Sequence, residues 1–499
     1  MFKKLLRKTG LALLKAGGSR VSARYEGAAT GRRMGAWGNS QSGPNAELLG
    51  NLPLLRSRSR EVVRNNPHAA SAVESFVANM VGTGIVPRWR LDDPGLKERI
   101  QNLWLAWTNH SDFYQQQDFY GSQSLVTRSL MESGEVLIRF HVDKKSPNVP
   151  LRLQVLEADH LDTHFNEERD GKTIRMGIEF NRHGQRIAYH LTKKHPGEVD
   201  EDYSIRVRVP ANQILHVFRV LRPGQIRGVP WLSSILVRLH ELDQYEDAEL
   251  VRKKSAALFA AFVTKPINDT DSIGSDEGKD ENGTPISGIQ AGAVHYLDPG
   301  ESIDFAQPAD VGSNYEAWLK QQLRSVASGI GVTYEQLTGD LHGVNYSSIR
   351  AGLLEFRRRI EALQHNLIVF QFCRPVAERW LDLAVASGQL DIPEYFQNKQ
   401  QYQSIEWRPP AWDWVDPLKD IKAQQLEVQS GFKSRSQVAA DRGQDIEDLD
   451  KQIAEDKQRA ESYGLHFDSD PTPLVETVSP QQPEKNKQPV QETTQEITE

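Results

Sequence analysis

Gly329-Ile-Gly-Val-Thr-Tyr-Glu-Gln-Leu-Thr-Gly339 leads into Asp340-Leu-His-Gly-Val-Asn-Tyr346 and then into a run whose apolar residues are Ile349, Leu353, Phe356, Ile360, Leu363, Leu367 and Phe370. The steps between them alternate four and three, the spacing that keeps one seam of a helix against a neighbour. Asn345 or Ser347 can cap that helix, because a short side-chain oxygen accepts an orphan backbone N–H, and Pro375 forbids its continuation. Arg350, Arg357, Arg358 and Arg359 fall largely off the seam. The stretch reads as a glycine-bearing loop held between two helices.

Working back, Ser313-Asn-Tyr-Glu316 has the form of a capping box, and Trp318, Leu319, Leu323 and Val326 continue a helix to Gly329. An earlier, longer helical pattern follows Arg222-Pro-Gly-Gln-Ile-Arg-Gly-Val-Pro-Trp231 and runs to about Val263, with Ile235, Leu239, Leu242, Tyr245, Leu258 and Phe262 apolar. Roughly thirty residues rise about 45 Å, which suits a strut. Its charges are segregated: Glu241, Asp243, Glu246, Asp247 and Glu249 come first, then Arg252, Lys253 and Lys254. They can pair within a solvated face or meet the opposite stretch of a second copy. Residues 266–312 are poor in apolar groups, with strand candidates at Ala293 to Leu297 and Ser302 to Phe305, and form a small insertion between the two helices.

Upstream, residues 1–59 read as an extended arm. Order begins near Arg60, with an Asn66-Pro67 cap and a face of Ala70, Val73, Val77 and Met80 ended by Gly82. A helix from Asp93-Pro94 buries Leu96, Ile100, Leu103 and Trp107, and another spans Phe119 to Ser133. The period then changes: Glu135–His141, Leu151–Leu156, Thr173–Phe180, Ile187–Thr192, Ser204–Val209 and Gln213–Val220 read as strands, with a hairpin turn at Gly184. Residues 60–226 are thus one α+β domain. Downstream, Trp380 to Ser387 is helical, Trp407 to Pro417 is an aromatic and proline-rich connector, Pro417 starts a helix that Gly431 ends, and a polar helix spans about Asp445 to Tyr463. The tail from 466 to 499 lacks core-forming groups and reads as disordered.

The chain has 499 residues, a net charge of −7, 38% apolar and 25% charged residues. That size accommodates two to four domains. An acidic balance argues against blanket neutralisation of phosphates and suits a conduit better than a clamp. The longest central apolar run, Ala256 to Val263, is too short for a bilayer, and the basic N-terminus lacks the sustained apolar core of a signal peptide. A single cysteine, Cys373, rules out an internal disulfide.

Gly171-Lys172-Thr173 lacks the earlier glycine of a phosphate-binding loop and enters a strand, so no nucleotide site follows. The Glu157-Ala-Asp-His-Leu-Asp-Thr-His164 cluster offers carboxylates and imidazoles within eight residues; a metal-dependent nuclease using Asp159, His160 and His164 is the alternative reading. The cluster's place at a strand end, among turn residues, favours no metal, no cofactor and no catalytic residue. Arg56-Ser-Arg58-Ser-Arg60 and Arg357-Arg358-Arg359 are the basic clusters. Leu341, His342, Gly343, Val344, Asn345 and Tyr346 form a polar or amphipathic loop tip with little charge, which can touch a polyanion without trapping it.

The order of elements and the wording Arg64-Asn-Asn66, Gly224-Gln-Ile-Arg-Gly228, Gly329-Ile-Gly-Val-Thr-Tyr-Glu-Gln-Leu337 and Tyr346-Ser-Ser-Ile-Arg350 resemble the portal proteins of tailed bacteriophages, lambda-type portal family. The resemblance covers about Arg60 to Tyr463. It implies a non-enzymatic subunit of a ring, dodecameric in the virion, at one capsid vertex, assembled in the host cytoplasm without a membrane. Double-stranded DNA enters and leaves through its bore. It implies a wing at 60–226, a first stem helix at 227–265, a clip at 266–312 that docks the terminase large subunit and a head-completion protein, and a second stem helix at 313–337. The tunnel loop and seam helix then span 338–375 and the C-terminal wing and crown helices 376–465. Leu341 to Tyr346 would line the channel, Arg350, Arg357 and Arg358 would contact DNA or a neighbouring subunit, and major capsid and scaffold proteins would surround the ring.

Overall fold

The computed structural model describes residues 40–169, 171–198, 205–258, 262–264, 302–304, 315–412 and 417–465. The described residues up to 409 form one compact unit and those from 410 a second.

The first unit opens with α1 (Pro44–Leu49), α2 (Leu52–Asn65) and α3 (Pro67–Met80). The extended arm expected over 1–59 is therefore wrong from residue 44 onward. Leu52, Arg56, Ser59 and Val63 make a buried stripe at helical spacing, and a buried arginine and serine disguised it. Asn66 caps α3 as expected, accepting from the amides of His68 and Ala69, but the buried face is Ala69, Val73, Phe76 and Met80. Strand β1 (Val86–Trp89) precedes α4 (Pro94–Thr108), capped by Asp93, and α5 (Phe119–Ser133). On α4, Trp104 is buried where Leu103 was expected.

Strands β2 (Glu135–Val142) and β3 (Leu151–Glu157) begin the β region, followed by β4 (Glu167–Arg169), β5 (Lys172–Arg175), β6 (Ile178–Phe180), β7 (Arg186–Thr192), β8 (Arg206–Pro210) and β9 (Ile214–Phe218). They build a three-stranded antiparallel sheet, β3-β2-β9, and a five-stranded meander, β4-β5-β6-β7-β8. The strand expected over Thr173–Phe180 is split, because Met176 and Gly177 have positive φ and turn the chain. Leu137, Leu156, Ile178, Tyr189, Val209 and Ile214 pack the two sheets together.

Helix α6 (Leu236–Leu258) is the strut, about 35 Å long at 1.5 Å per residue. It does not extend to Val263: Phe262–Thr264, with β-branched Val263 and Thr264, forms β10, antiparallel to β11 (Ser302–Asp304), and this pair closes the base of the insertion. Residues 265–301 and 305–314, including the strand candidate at Ala293 and the capping box at Ser313, lie outside the described residues. Helix α7 (Tyr315–Ile330) returns, burying Leu323, Val326, Ala327 and Ile330.

Short α8 (Tyr334–Thr338) and α9 (Tyr346–Leu363) flank the loop. Past Leu363 the chain does not stop at Pro375. Residues Gln364–Cys373 form a π-helix, and α10 (Arg374–Ala386) continues with Pro375 in its first turn. The amide of Arg374 donates to the carbonyl of Val369, so the wide turn absorbs the proline's missing donor and its ring. The wider turn also rotates the seam: Phe370 is 57% exposed, whereas Leu367, Ile368, Val369 and Phe372 are buried.

Trp380 of α10 meets Trp104 at 5.1 Å and Trp89 at 5.7 Å between ring centroids, and Phe372 meets Phe119 at 5.6 Å. Short α11 (Lys399–Tyr402) leads to β12 (Ile405–Arg408), which pairs with β1. The domain expected to end at 226 therefore takes part of its core from 364–408, and the boundary at 376 falls inside the first unit. In the second unit, α12 (Pro417–Gln429) is followed by α13 (Arg435–Asp441) and α14 (Ile446–Ser462); Ser434 and Asp445 cap the latter two.

Glu135, at the start of β2, sits fully buried where these parts converge. Arg227 grips it with Nη2–Oε1 2.6 Å and Nε–Oε2 3.0 Å, and Arg56 adds Nη2–Oε1 2.7 Å. The Gly228 amide donates at 2.7 Å, and His216 Nε2 stands 2.9 Å from Oε2. Burial raises the Glu135 pKa, but Arg227, His216 and Arg56 outweigh it and hold the carboxyl below its usual range. Burial pulls His216 from 6.5 down to about 4, and its Nδ1 has no hydrogen-bond partner among the described residues.

Glu135→Ala leaves the buried Arg227 guanidinium without a carboxylate and Arg56 with only its longer contact to Asp159, and should cost about 3–5 kcal/mol, read by urea unfolding. The unfolded chain takes up a proton on His216 that the fold refuses. That group's contribution to stability is complete above about pH 6.5 and lost as pH falls toward about 4. A pH series of thermal midpoints should show that loss, and His216→Asn should flatten it in this window.

Candidate functional site

The loop between α8 and α9 is mounted by hydrogen bonds that its own sequence supplies. Thr333 and Gln336 form a reciprocal capping box at the start of α8, a Thr-x-x-Gln pattern readable in the sequence but missed there. Gly339 ends α8 in the left-handed region, φ 71°, as glycine does at little cost. Asp340 then turns the chain: its Oδ1 accepts the His342 amide at 2.9 Å, and its Oδ2 accepts the Tyr334 hydroxyl at 3.1 Å. The His342 amide, then Tyr334 and Lys320, hold the Asp340 carboxyl below its ordinary pKa. Asn345 starts α9 by accepting from the Ser347 amide at 3.0 Å, which settles the choice between Asn345 and Ser347.

Among the expected site residues, Leu341 is 66% exposed. His342, Gly343 and Asn345 are exposed and Val344 is half-buried; the side chain of Tyr346 lies outside the described residues. A cleft of about 330 Å³ beneath the tip is lined by Lys320, Arg324, Tyr334 and Asp340 from the α7–α8 side and by Asn345 and Ile349 from α9. The tip carries no fixed positive charge, while Lys320 and Arg324 stand behind it, Arg324 5.6 Å over the Tyr334 ring.

The arginines do not form the patches their spelling suggests. Arg350 and Arg357 are half-buried and partnered, and Arg358 is exposed with Glu355 at 3.9 Å. Arg359 packs against Gly331, φ 98°, where a Cβ would collide with its guanidinium; this approach of α9 to the α7–α8 turn had no local signal in the sequence. Arg56 and Arg60 of the other cluster face inward, to Glu135 at 2.7 Å and to Asp159 at 2.6 Å respectively, so Arg56-Ser-Arg58-Ser-Arg60 does not form one outward patch.

The nuclease reading fails on geometry. Asp159 is bridged by Arg56 at 3.5 Å and Arg60 at 2.6 Å, which supply the positive charge a metal would bring. His160 Nδ1 lies 3.1 Å from the Thr192 carbonyl, and the His164 amide closes a turn onto Asp162 at 2.8 Å. His195, not His160 or His164, stands within 4.8 Å of both Glu157 and Asp159. Arg60 also reaches Glu157 at 2.9 Å, so that group too is already ion-paired.

A profile of the family described as "Phage portal protein, lambda family" matches residues 30–364. The chain is 29% identical over 432 residues to the probable portal protein of Halomonas phage phiHAP-1, covering 82% of this chain and 81% of that relative. It is 22% identical over 490 residues to portal protein B of Escherichia phage lambda, covering 88% and 90%. Among solved structures, a chain in the neck of an empty GTA particle is similar with a TM-score of 0.48 and 15% identity, over 78% of this chain and 93% of that one.

Asn345→Ala removes the α9 cap and should cost about 1 kcal/mol, against a few tenths for Asn345→Gly. Faster hydrogen exchange at the Ser347 and Ser348 amides, with the α10 amides unchanged, is the expected reading.

Proposed function

The chain belongs to the lambda family of phage portal proteins, and from that premise we propose that copies of it close into a ring whose bore carries double-stranded DNA past the 340–345 loop. As a portal protein it is a structural connector rather than an enzyme. The proposed seat of the ring is one capsid vertex of the virion, with assembly in the host cytoplasm. The number of copies proposed for the virion is twelve.

The observation that carries the loop's role is its mounting. A tip without cationic side chains projects between helices capped by Thr333 and Asn345. A tip of this kind meets the phosphates without holding them, so DNA slides past rather than binding; a lysine-rich tip would bring in the salt-dependent affinity of phosphate neutralisation. Lys320 is drawn to Glu316 at 2.8 Å, which restrains its charge near the cleft.

Ring closure needs one face of each subunit to fit the opposite face of the next. Helix α6 supports this reading: Glu241, Asp243 and Asp247 are exposed on its first half, and Lys253 and Lys254 on its second. Glu249 is an internal partner of Arg252 at 2.6 Å and drops out of the proposed contact. The insertion closed by β10 and β11 is proposed to dock the terminase large subunit and then a head-completion protein, and the outer surface to meet major capsid and scaffold proteins.

Deleting 340–345 should leave rings intact in negative-stain images while the yield of DNA-filled heads collapses. Loss of rings in that variant, or normal filling, would show that the loop has another role.

A further inference from the structure

A groove of about 430 Å³ runs between α1 and the β4–β5 hairpin, away from the loop. Ala46, Leu49, Ile174 and Ile226 give it an apolar wall, and Glu167 and Glu168 border it as exposed carboxylates, with Arg175 the cation on the same wall. Glu167 is paired in register with Ile174, and Glu168 with Thr173. Side chains from both faces of the hairpin therefore line one groove, as happens where a groove follows a sheet edge. Strand β4 is the edge strand of the five-stranded sheet, and no further strand pairs with its outer side among the described residues.

We propose that this groove receives residues 31–39 of the same chain, laid along the β4 edge with Trp37 against the apolar wall and Arg32 and Arg33 toward Glu167 and Glu168. Three observations select this occupant. The chain enters the fold beside the groove: Arg222 clamps Glu47 at 2.7 Å and the Ser42 carbonyl at 3.3 Å, and Asn45 bonds to Gly224 and Ile226, so Ser40 starts next to α1. Residues 1–39 carry nine Lys and Arg against one acidic residue, Glu26, in a chain whose net charge is −7, so the segment complements the carboxylates. The family profile matches from residue 30, so the shared sequence takes in residues 31–39 and not the more N-terminal ones. An added strand gains backbone hydrogen bonds, and an aromatic side chain in the adjoining pocket supplies specificity.

Limited trypsin digestion of the full chain tests the proposal, and it is read on the monomer so that it stands apart from ring formation. Cleavage after Arg20 and Arg24 serves as the internal standard, and cleavage after Arg32 and Arg33 should be about ten-fold slower, because a docked strand must open before it is cut. Glu167→Lys with Glu168→Lys, both at exposed positions, and separately Trp37→Ala, should bring Arg32 and Arg33 to the rate of Arg24, with the thermal midpoint of the folded core retained. Equal rates at all four arginines in the parent chain would overturn the proposal, as would protection that both variants leave intact. Protection that vanishes on dilution to monomer would assign the groove to a second copy's arm. Protection that appears only with added duplex DNA would assign the arm to nucleic acid. Either result overturns docking within the chain.

Discussion

A carboxylate with no access to water holds this fold together. Glu135 is encircled by Arg227, Arg56, His216 and the Gly228 amide, groups that come from three separate places in the chain. An unpaired charge in that position would be severely penalised by desolvation, so the parts must arrive together or not at all. Arg227 also donates to the carbonyls of Leu161 and Met176, which ties the turn between the two sheets to the same point. The Gly224-Gln-Ile-Arg-Gly228 wording then has a physical meaning. The arginine is the hub's main cation, and a Cβ on Gly228 would fall 2.1 Å from the Gly134 carbonyl oxygen, so the segment must pass as bare backbone.

The strut leaves the fold directly from this hub. Ile235, Leu239 and Leu242 at the root of α6 are buried, and Gly329 of α7 lets the returning helix lie against Ile235. Motion of the strut is thereby referred to a fixed base. The loop at 340–345 inherits the same base through α8 and α9, with Arg359 lying on Gly331 where the two meet. The loop is thus fixed at its base and exposed at its tip.

The π-helix from Gln364 to Cys373 joins the loop helix to the aromatic core. It accepts Pro375 without a break and turns Leu367, Ile368, Val369 and Phe372 inward together. Trp380 then reaches the Trp89, Trp104 and Phe119 cluster laid down by residues nearly three hundred positions earlier. Tightly packed rings of this kind resist shear, so the C-terminal part of the first unit braces the α+β layer from behind.

Local signals in the sequence were enough to determine the element order, the caps at Asn66 and Asp93, the narrowing of the α9 cap to Asn345 or Ser347, the period-2 strands, the glycine turn at 184 and the family to which the chain belongs. Each of these depends on residues within a few positions of one another, where backbone geometry and side-chain chemistry act directly. The tertiary structure alone decided that Arg56 and Arg60 face inward, that Asp159 is ion-paired rather than metal-seeking, that Phe370 leaves the seam, and that 364–408 completes a core begun at 60. For the arginines, Asp159 and the shared core the decisive partner is distant in sequence, and for Phe370 it is the under-wound π-helical turn before Pro375; which charge is buried and which face turns inward is chosen by packing rather than by periodicity.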